Sequence, residues 1–388
     1  MKVSFGIITK NFMEEGTLDL FLNNAQKYGH KIHSVVIAYQ NSCDFKLIEH
    51  LQNKVKVEVV KINHNYDMVN DMRAKGVSET DALNIIYSKH LEKTGYTPYG
   101  VNRNNVMVKA MLTGTEILIF IDTDVYPYIL YEGPEGSTAK MEIDYVGEHL
   151  KYLADEKVAI STSDYSGYFI IPTMSFDGMD ALFKGLQKDM HFNEMVGCKK
   201  RDCLIYGEVG DQRKPFLSHK ILGGNLAIKL DQMKKLPPFY SSVFTVGKDT
   251  ILTRGEDTLL GLAFKKNTDI LCMDIDLKIF HDTFNNYPIK PDILKNTAIR
   301  DRFYYACMGW IGRNPFLNWL KEEDVKSIYE AQREALEIGS KAAANHFQDE
   351  RFLNLLEAID VAFENLGQMI DEYEVVMESW QKVTAKIL

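Results

Sequence analysis

The sequence lacks the features of a membrane, secreted or zinc-stabilised protein. No apolar stretch approaches the roughly 20 residues that a membrane-spanning helix needs. The first residues, MKVSFGIITK, lack the long apolar segment and the small-residue cleavage site of a signal peptide. No C-x-x-C pair, and no second Cys or His pair at zinc spacing, occurs among the cysteines Cys43, Cys198, Cys203, Cys272 and Cys307. We therefore expect a cytoplasmic protein with reduced thiols and no transmembrane segment.

An excess of positive charge is also lacking. The formal net charge is −9, and residues 317–388 alone carry 15 acidic against 7 basic side chains, so the body of the protein is nearly neutral. General nucleic-acid binding is therefore not expected, since such binding depends on clustered positive charge. Two short basic clusters occur, KKR at 199–201 and RK at 213–214. Each is compatible with a solvated loop or with contact to an anionic acceptor.

The first half of the chain alternates strand and helix patterns. The segments VSFGIIT, HSVVIAY, VKVEVVKI and EILIFI have the apolar character of strands, and residues 12–28 and NNVMVKAML have helical spacing between them. Strands joined by helices of this length predict an α/β fold with a mostly parallel central sheet. Such sheets bind ligands at the carboxyl ends of their strands.

One of those strand ends carries two carboxylates. In EILIFIDTDVYP the apolar run ends directly at Asp122 and Asp124. Two carboxylates this close repel each other unless a positive charge lies between them. Hard divalent cations bind oxygen ligands and often share them with a substrate phosphate. The pattern therefore predicts a Mn²⁺ or Mg²⁺ site that holds a diphosphate.

Further motifs follow in a fixed order. Arg103 and Asn104 precede the strand of Asp122, and LGGNLAIK, TRGEDTLLGLAF and IFHDTF come after it. In this order and at these separations, the set resembles the GT-A glycosyltransferases, closest to the inverting family 2 type. The resemblance covers about residues 1–285. It implies a GT-A nucleotide-diphospho-sugar transferase fold and transfer of a sugar from a nucleotide donor.

The resemblance also implies roles for residues. Asp124 is expected to bind the metal directly, Asp122 to contact the ribose or the metal through water, and His281 to complete the ligand set. Asp257 matches the general base, with Glu256 as its neighbour and a possible acceptor contact. Both acids would equally suit a helix N-terminus, where negative charge is favoured.

The donor and acceptor can be described only by class. A UDP-sugar is expected, with contacts from a set comprising Thr9, Asn11, Gln40, Arg103, Asp122, Asp124, Gly224 and Asn225. Arg103 suits either the diphosphate or Asp122. The family often has an acidic residue after the second strand, where this sequence has Gln40 and Asn41. The acceptor is a hydroxyl of a saccharide, a glycan or a small molecule.

Other functions remain as alternatives. Retaining enzymes of the mannosylglycerate and glucosylglycerate synthase type also combine D-x-D with a later His. A scaffold that binds a sugar nucleotide without catalysis is a second alternative. A phosphatase of the haloacid dehalogenase type is disfavoured because Tyr126 stands where that family has Thr or Val.

The last part of the chain has a different pattern. We expect a catalytic domain over 1–315 and a helical extension over 316–388. Apolar residues recur at 3-4 spacing for nearly five heptads, at Phe352, Leu355, Ile359, Ala362, Leu366, Met369, Tyr373, Val376, Trp380, Val383 and Ile387. Such a seam predicts one long helix that packs along its length. A homo-oligomer is the favoured interpretation, and a helix folded back on its own body is the alternative.

Overall fold

The structure is a computed structural model, and it describes residues 1–197, 203–266 and 269–388. The basic cluster at 199–201 and Cys198 lie outside these residues. The strands are β1 (Val3–Phe12), β2 (Ile32–Cys43), β3 (Val57–Lys61), β4 (Ile117–Ile121), β5 (Val125–Glu132), β6 (Thr138–Glu142), β7 (Val158–Thr162), β8 (Tyr165–Tyr168), β9 (Leu204–Ile205), β10 (Phe216–Leu217), β11 (Asn225–Lys229), β12 (Val243–Val246), β13 (Asp249–Leu252), β14 (Leu271–Asp274) and β15 (Ile279–His281).

The helices accompany three sheets in the described residues, the smallest of which pairs β12 with β13. They are α1 (Leu18–Lys27), α2 (Phe45–Gln52), α3 (Tyr66–Ala74), α4 (Glu79–Ile86), α5 (Leu91–Thr94), α6 (Tyr99–Leu112), α7 (Tyr145–Leu153), α8 (Met179–Gly185), α9 (Met190–Val196), α10 (Glu256–Lys266), α11 (Thr297–Leu320), α12 (Val325–Phe347), α13 (Asn354–Glu364) and α14 (Leu366–Ile387). None of the helices in the described part of the chain has the length and apolar character needed to cross a bilayer.

The larger sheet has the order β10-β14-β7-β11-β4-β1-β2-β3. Strands β4, β1, β2 and β3 run parallel to one another, and β14 runs parallel to β7. Strand β11 lies antiparallel between β4 and β7, so its first residue lies beside the carboxyl end of β4. The predicted α/β class with a mostly parallel central sheet is confirmed.

The smaller sheet has the order β6-β5-β15-β8-β9. Strand β5 follows β4 after only the residues 122–124, so the predicted metal motif connects the two sheets. The segment 270–282 forms β14 in the larger sheet and β15 in the smaller one. This division brings His281 next to Val125 in the register of β15 with β5.

The C-terminal region is not a separate unit. The expected boundary at 315 falls inside α11, which continues to Leu320 and contains Pro315. The predicted single long helix is interrupted at Asn365, between α13 and α14. The seam pattern is continuous across this break, which explains why apolar spacing alone did not reveal it.

The seam of the tail is buried within the same chain. Phe352, Leu355, Ile359 and Ala362 pack with α11 and α12, and Trp380 and Val383 join the core that lies under the central sheet. Trp380 is 0% exposed, and its indole N–H donates to the carbonyl oxygens of Met233 (3.2 Å) and Leu236 (2.9 Å). The seam therefore folds back on its own body, and a homo-oligomer stays a prediction.

Candidate active site

The carboxylates Asp122 and Asp124 lie in the turn between β4 and β5. All residues of β4 are buried, and the backbone N–H of Val125 closes the turn onto the carbonyl oxygen of Asp122 (3.4 Å). Because the strand ends before Asp122, the two side chains do not follow strand alternation and instead have different partners. Asp122 lies beside Arg103, and Asp124 lies beside His281. Both carboxylates are half-buried at the carboxyl end of β4.

His281 and Asp124 form a pair across the two strands of the smaller sheet. The distance from His281 Nε2 to Asp124 Oδ2 is 3.1 Å. The other ring nitrogen, Nδ1, is 3.0 Å from the hydroxyl of Thr283, which orients the imidazole. Burial opposes the charge on Asp124, but the hydrogen bond and charge of His281, together with the charge of Arg302, outweigh burial and lower the pKa of that carboxyl.

These residues fit a metal ion that is shared with a ligand. A hard cation takes oxygen ligands and completes its coordination with substrate phosphates, and a metal-binding His is held through its other nitrogen as Thr283 holds His281. Within the described ranges, no group of three or more His, Cys, Asp or Glu residues is arranged to hold a metal ion by itself. The site therefore suits a cation bound jointly by protein and diphosphate, and does not suit an all-protein cage.

Arg103 connects this edge of the sheet to the start of α10. It lies on α6 and is 5% exposed. Its Nε donates to Glu256 Oε1 (2.8 Å), its Nη1 donates to the carbonyl oxygen of Gly223 (3.0 Å), and its Nη2 is 3.9 Å from Asp122 Oδ1. Burial opposes its charge, but Glu256 and Asp122 outweigh burial and raise the pKa of the guanidinium.

This geometry changes the role expected for Glu256. The carboxylate is buried and is the close partner of Arg103, so it is not oriented toward an acceptor. Arg103 was expected to contact either the diphosphate or Asp122. It lies 3.9 Å from Asp122, which is farther than its 2.8 Å contact with Glu256. We assign Glu256 to holding Arg103 in place.

The loop Gly223-Gly224 packs directly against the charged groups. A Cβ at Gly223 would overlap the guanidinium of Arg103, and a Cβ at Gly224 would overlap the carboxylate of Asp122. The backbone N–H of Gly224 donates to the hydroxyl of Tyr165 (3.0 Å), and that of Gly223 donates to Asp257 Oδ2 (3.1 Å). A side chain at either position would therefore displace the charged group that it meets.

Asn225 does not face the open site. Its side chain is 0% exposed, and its amide donates to the carbonyl oxygens of Leu277 (2.9 Å) and Asp164 (3.2 Å). Its own Oδ1 lies 3.3 Å from Nε2 of His149. The expectation that Asn225 contacts the donor is corrected accordingly, since its polar groups already have protein partners and hold β11, β7 and the segment before β15 together.

Asp257 opens α10 and is half-buried. Its Oδ1 accepts from the backbone N–H of Thr258 (2.7 Å), and its Oδ2 accepts from Gly223. Burial and the neighbouring Glu256 raise the pKa of Asp257 to about 6. A carboxyl with this pKa is ionised at neutral pH and can still accept a proton in a reaction, as a general base requires.

Thr9, Asn11 and Gln40 lie together at the far end of β1 and β2. Both strands run several residues beyond the predicted ends, and the Thr9 hydroxyl donates to the carbonyl oxygen of Asn11 (2.9 Å). Asn11 Oδ1 accepts from the hydroxyl of Ser42 (2.8 Å). These residues are at least partly exposed on the carboxyl side of the sheet, and their contact with a nucleotide stays a prediction.

Several residues of the site were missed in the sequence. The hydroxyl of Thr17 donates to the carbonyl oxygen of Asp122 (3.4 Å), and Arg302 donates to the carbonyl oxygen of Thr283. Tyr165 accepts from Gly224, and its ring lies tilted against that of His281, with ring centroids 4.8 Å apart. Arg302 comes from α11, beyond the motifs, and no local pattern in the sequence marked it. Arg213 of the second basic cluster pairs with Glu148 (2.7 Å), which gives it a structural partner.

Comparison with solved structures gives weak likenesses. Glucosyl-3-phosphoglycerate synthase from Mycobacterium tuberculosis, in complex with Mn²⁺, UDP and phosphoglyceric acid, aligns with a TM-score of 0.37 at 13% identity over 79% of this chain and 78% of that one. TarS from S. aureus aligns with a TM-score of 0.38 at 12% identity over 95% and 92%. No family profile and no curated protein sequence matches the chain. TM-scores below 0.5 at such identities assign no activity or ligand to this protein.

Proposed function

We propose that this protein is a metal-dependent glycosyltransferase of the GT-A type that moves a sugar from a nucleoside-diphosphate donor, taken here as a UDP-sugar, to an acceptor hydroxyl. The single observation that carries the proposal is that two carboxylates with different surroundings, Asp122 and Asp257, both contact the Gly223-Gly224 loop. Asp122 touches Gly224, Asp257 accepts from Gly223, and Asp124 with His281 lies at the same end of β4.

The donor side requires groups that hold a diphosphate. Asp124 and His281 would bind Mn²⁺ or Mg²⁺ directly, with Asp122 in contact with the ribose or with a water of the metal. When bound, the cation supplies positive charge to the departing diphosphate. Thr283 keeps the His281 ring oriented, and Arg103 limits repulsion between Asp122 and its acidic neighbours.

The acceptor side requires a base. The acceptor oxygen forms a bond to the anomeric carbon, the bond from that carbon to the diphosphate oxygen breaks, and the diphosphate leaves with the electron pair. The acceptor's proton passes to Asp257. Its half-buried carboxylate lies next to the Gly223 loop, and its pKa of about 6 suits transfer near neutral pH.

Asp257 favours inversion over retention. A positioned base that activates the acceptor is the part that a direct displacement needs, and such a displacement inverts the anomeric carbon. Retention, as in the glucosylglycerate synthase type, would proceed without a requirement for Asp257. Assignment of the product anomer by NMR distinguishes the two, since inversion of the donor's configuration supports the role of Asp257 and retention opposes it.

Incubation with Mn²⁺ and a panel of sugar nucleotides tests the general proposal. Release of nucleoside diphosphate from one donor, dependent on the metal, is the expected result. Tight donor binding without turnover, with every acceptor class tested, would instead support a non-catalytic scaffold. Absence of donor binding in the presence of Mn²⁺ would contradict both.

A further inference from the structure

One side of the site carries a cluster of cations without matching acids. We call Lys188, Arg254, Arg302 and Arg313 the cationic cluster, and all four side chains are half-buried. Within residues 1–197, 203–266 and 269–388, no carboxylate lies within ion-pair distance of any of them, whereas Arg103, Arg300, Arg333 and Arg351 all have such partners. Half-buried cations are normally paired, so the cluster needs an explanation.

Helix α11 assembles the cluster. Arg302 and Arg313 are eleven residues apart on this helix, which is about three turns, so they lie on one face. Between them, Gly309 leaves room for Arg254, because a Cβ there would lie 2.9 Å from Arg254 Cγ. The next residue, Trp310, has Nζ of Lys188 at 3.3 Å from its ring centroid. Four basic side chains from three parts of the chain therefore lie along one helix.

The cationic cluster lies between the Asp257 side and the His281 side of the proposed reaction centre. Arg313 Nη1 donates to the hydroxyl of Thr258 (3.3 Å), next to Asp257, and its Nε is buried without a hydrogen-bond partner in the described residues. Arg302 bonds to the carbonyl oxygen of Thr283, two residues from His281. Burial lowers the pKa of Lys188 well below its usual range, and nearby Arg313 adds to this effect. Asp124 partly offsets the charge of Arg302, and Asp257 that of Arg313, but both act from beyond ion-pair distance, so no acid in the described residues contacts the cluster.

A cavity adjoins the cluster. Its volume is about 430 Å³, and its charged lining consists of Arg254, Lys248 and one acid, Asp249, beside the rings of Tyr96, Tyr99 and Tyr305. Tyr96 and Tyr305 are exposed, so the cavity is reached from solvent. Aromatic faces combined with a few placed polar groups are typical of small-molecule sites.

We propose that the acceptor is anionic: a hydroxyl compound that carries a phosphate or carboxylate, which the cationic cluster binds while the remainder occupies the tyrosine-lined cavity. The proposal rests on the function proposed above. Guanidinium groups form charge-assisted, often bidentate, hydrogen bonds with such oxyanions. Arg313 connects the cluster to the Asp257 side of the site through its hydrogen bond to Thr258. The RK cluster at 213–214 is thereby replaced as the expected anion contact, since Arg213 is paired with Glu148.

Calorimetric titration of the full chain, loaded with UDP and Mn²⁺, tests this with glucose 6-phosphate and glucose as matched probes. Glucose 6-phosphate should bind saturably and glucose should not. Arg254→Gln should weaken glucose 6-phosphate binding about tenfold or more, as the loss of a charge-assisted hydrogen bond predicts. Arg73→Gln, which removes one exposed charge on α3, is the matched control and should have no effect. Arg254→Lys should restore part of the affinity.

Each outcome decides the matter. Equal binding of the two probes, or no effect of Arg254→Gln in a folded variant, overturns the proposal. If glucose 6-phosphate competes with UDP, or Arg254→Gln weakens UDP, the cluster serves the donor diphosphate and the proposal is also wrong. If Arg254→Gln does not fold, Lys188→Gln should show the same loss. If UDP fails to bind while glucose 6-phosphate still binds through Arg254, the glycosyltransferase assignment fails and the anion site stands.

Discussion

Replacing Trp380 with Ala tests whether the C-terminal tail stabilises the catalytic body. The indole is fully buried among residues of the central core, and it donates to the carbonyl oxygens of Met233 and Leu236. Truncating such a side chain removes its apolar contacts and leaves a cavity, which costs about 3–5 kcal/mol. For a chain of this length, that loss corresponds to a fall in Tm of about 4–6 °C.

The assay is urea unfolding, monitored by far-UV circular dichroism because that signal does not depend on the substituted tryptophan. Two variants serve as controls. Trp380→Phe keeps most of the ring but removes the N–H, so it should cost about 1–2 kcal/mol through the two unsatisfied carbonyl groups. Val375→Ala lies on the same helix with its side chain exposed and should change stability by less than about 0.5 kcal/mol. A Trp380→Ala variant as stable as the wild type would refute the packing. A stable wild-type dimer that dissociates in this variant would return the seam to the oligomer interpretation.

The remaining predictions concern the site. Asp124→Asn should lower transfer by about a hundredfold or more through loss of a metal ligand, with the exposed Asp211→Asn as control, and initial rates at saturating Mn²⁺ measure it. Asp257→Asn should lower turnover by about a hundredfold or more with unchanged UDP affinity, and equal losses in both would show a binding role instead. In the wild type, the rate should fall as pH drops through about 6, because burial and Glu256 raise the pKa of Asp257 and its protonated form cannot accept the proton. Gly224→Ala should abolish donor binding because its Cβ overlaps Asp122, whereas Gly367→Ala, which meets open space, should be neutral by the same titration.

The sequence predicts the end of a strand or the start of a helix where the signal lies within a few neighbouring residues. The apolar run before Asp122 forms β4, and the segment that begins at Glu256 forms α10 over the predicted residues. The segments of the site are therefore largely those predicted. After Tyr131, residues 133–137 form the loop that joins β5 to β6 in a hairpin.

What the sequence could not show depends on contacts between distant segments. Asn225 is adjacent to a functional loop, yet only the packing of β11 between β4 and β7 shows that its side chain is interior. Glu256 and Asp257 are adjacent in the sequence but have different partners. Arg103, 153 positions before Glu256, donates a hydrogen bond to Glu256 and not to Asp257. The C-terminal tail also could not be placed from the sequence. A regular apolar seam can pack on a second chain or on the rest of its own chain, and only the structure shows which surface covers it.

Titration of UDP into the full chain, in Mn²⁺ and again in EDTA, tests the central claim most directly, namely that the turn after β4 holds a nucleoside diphosphate through a shared cation. We predict saturable binding in Mn²⁺ that weakens at least about a hundredfold in EDTA, since the cation supplies the charge that the carboxylates of Asp122 and Asp124 would otherwise oppose. Equal affinity in the two conditions, or no binding of UDP in Mn²⁺, would contradict the account.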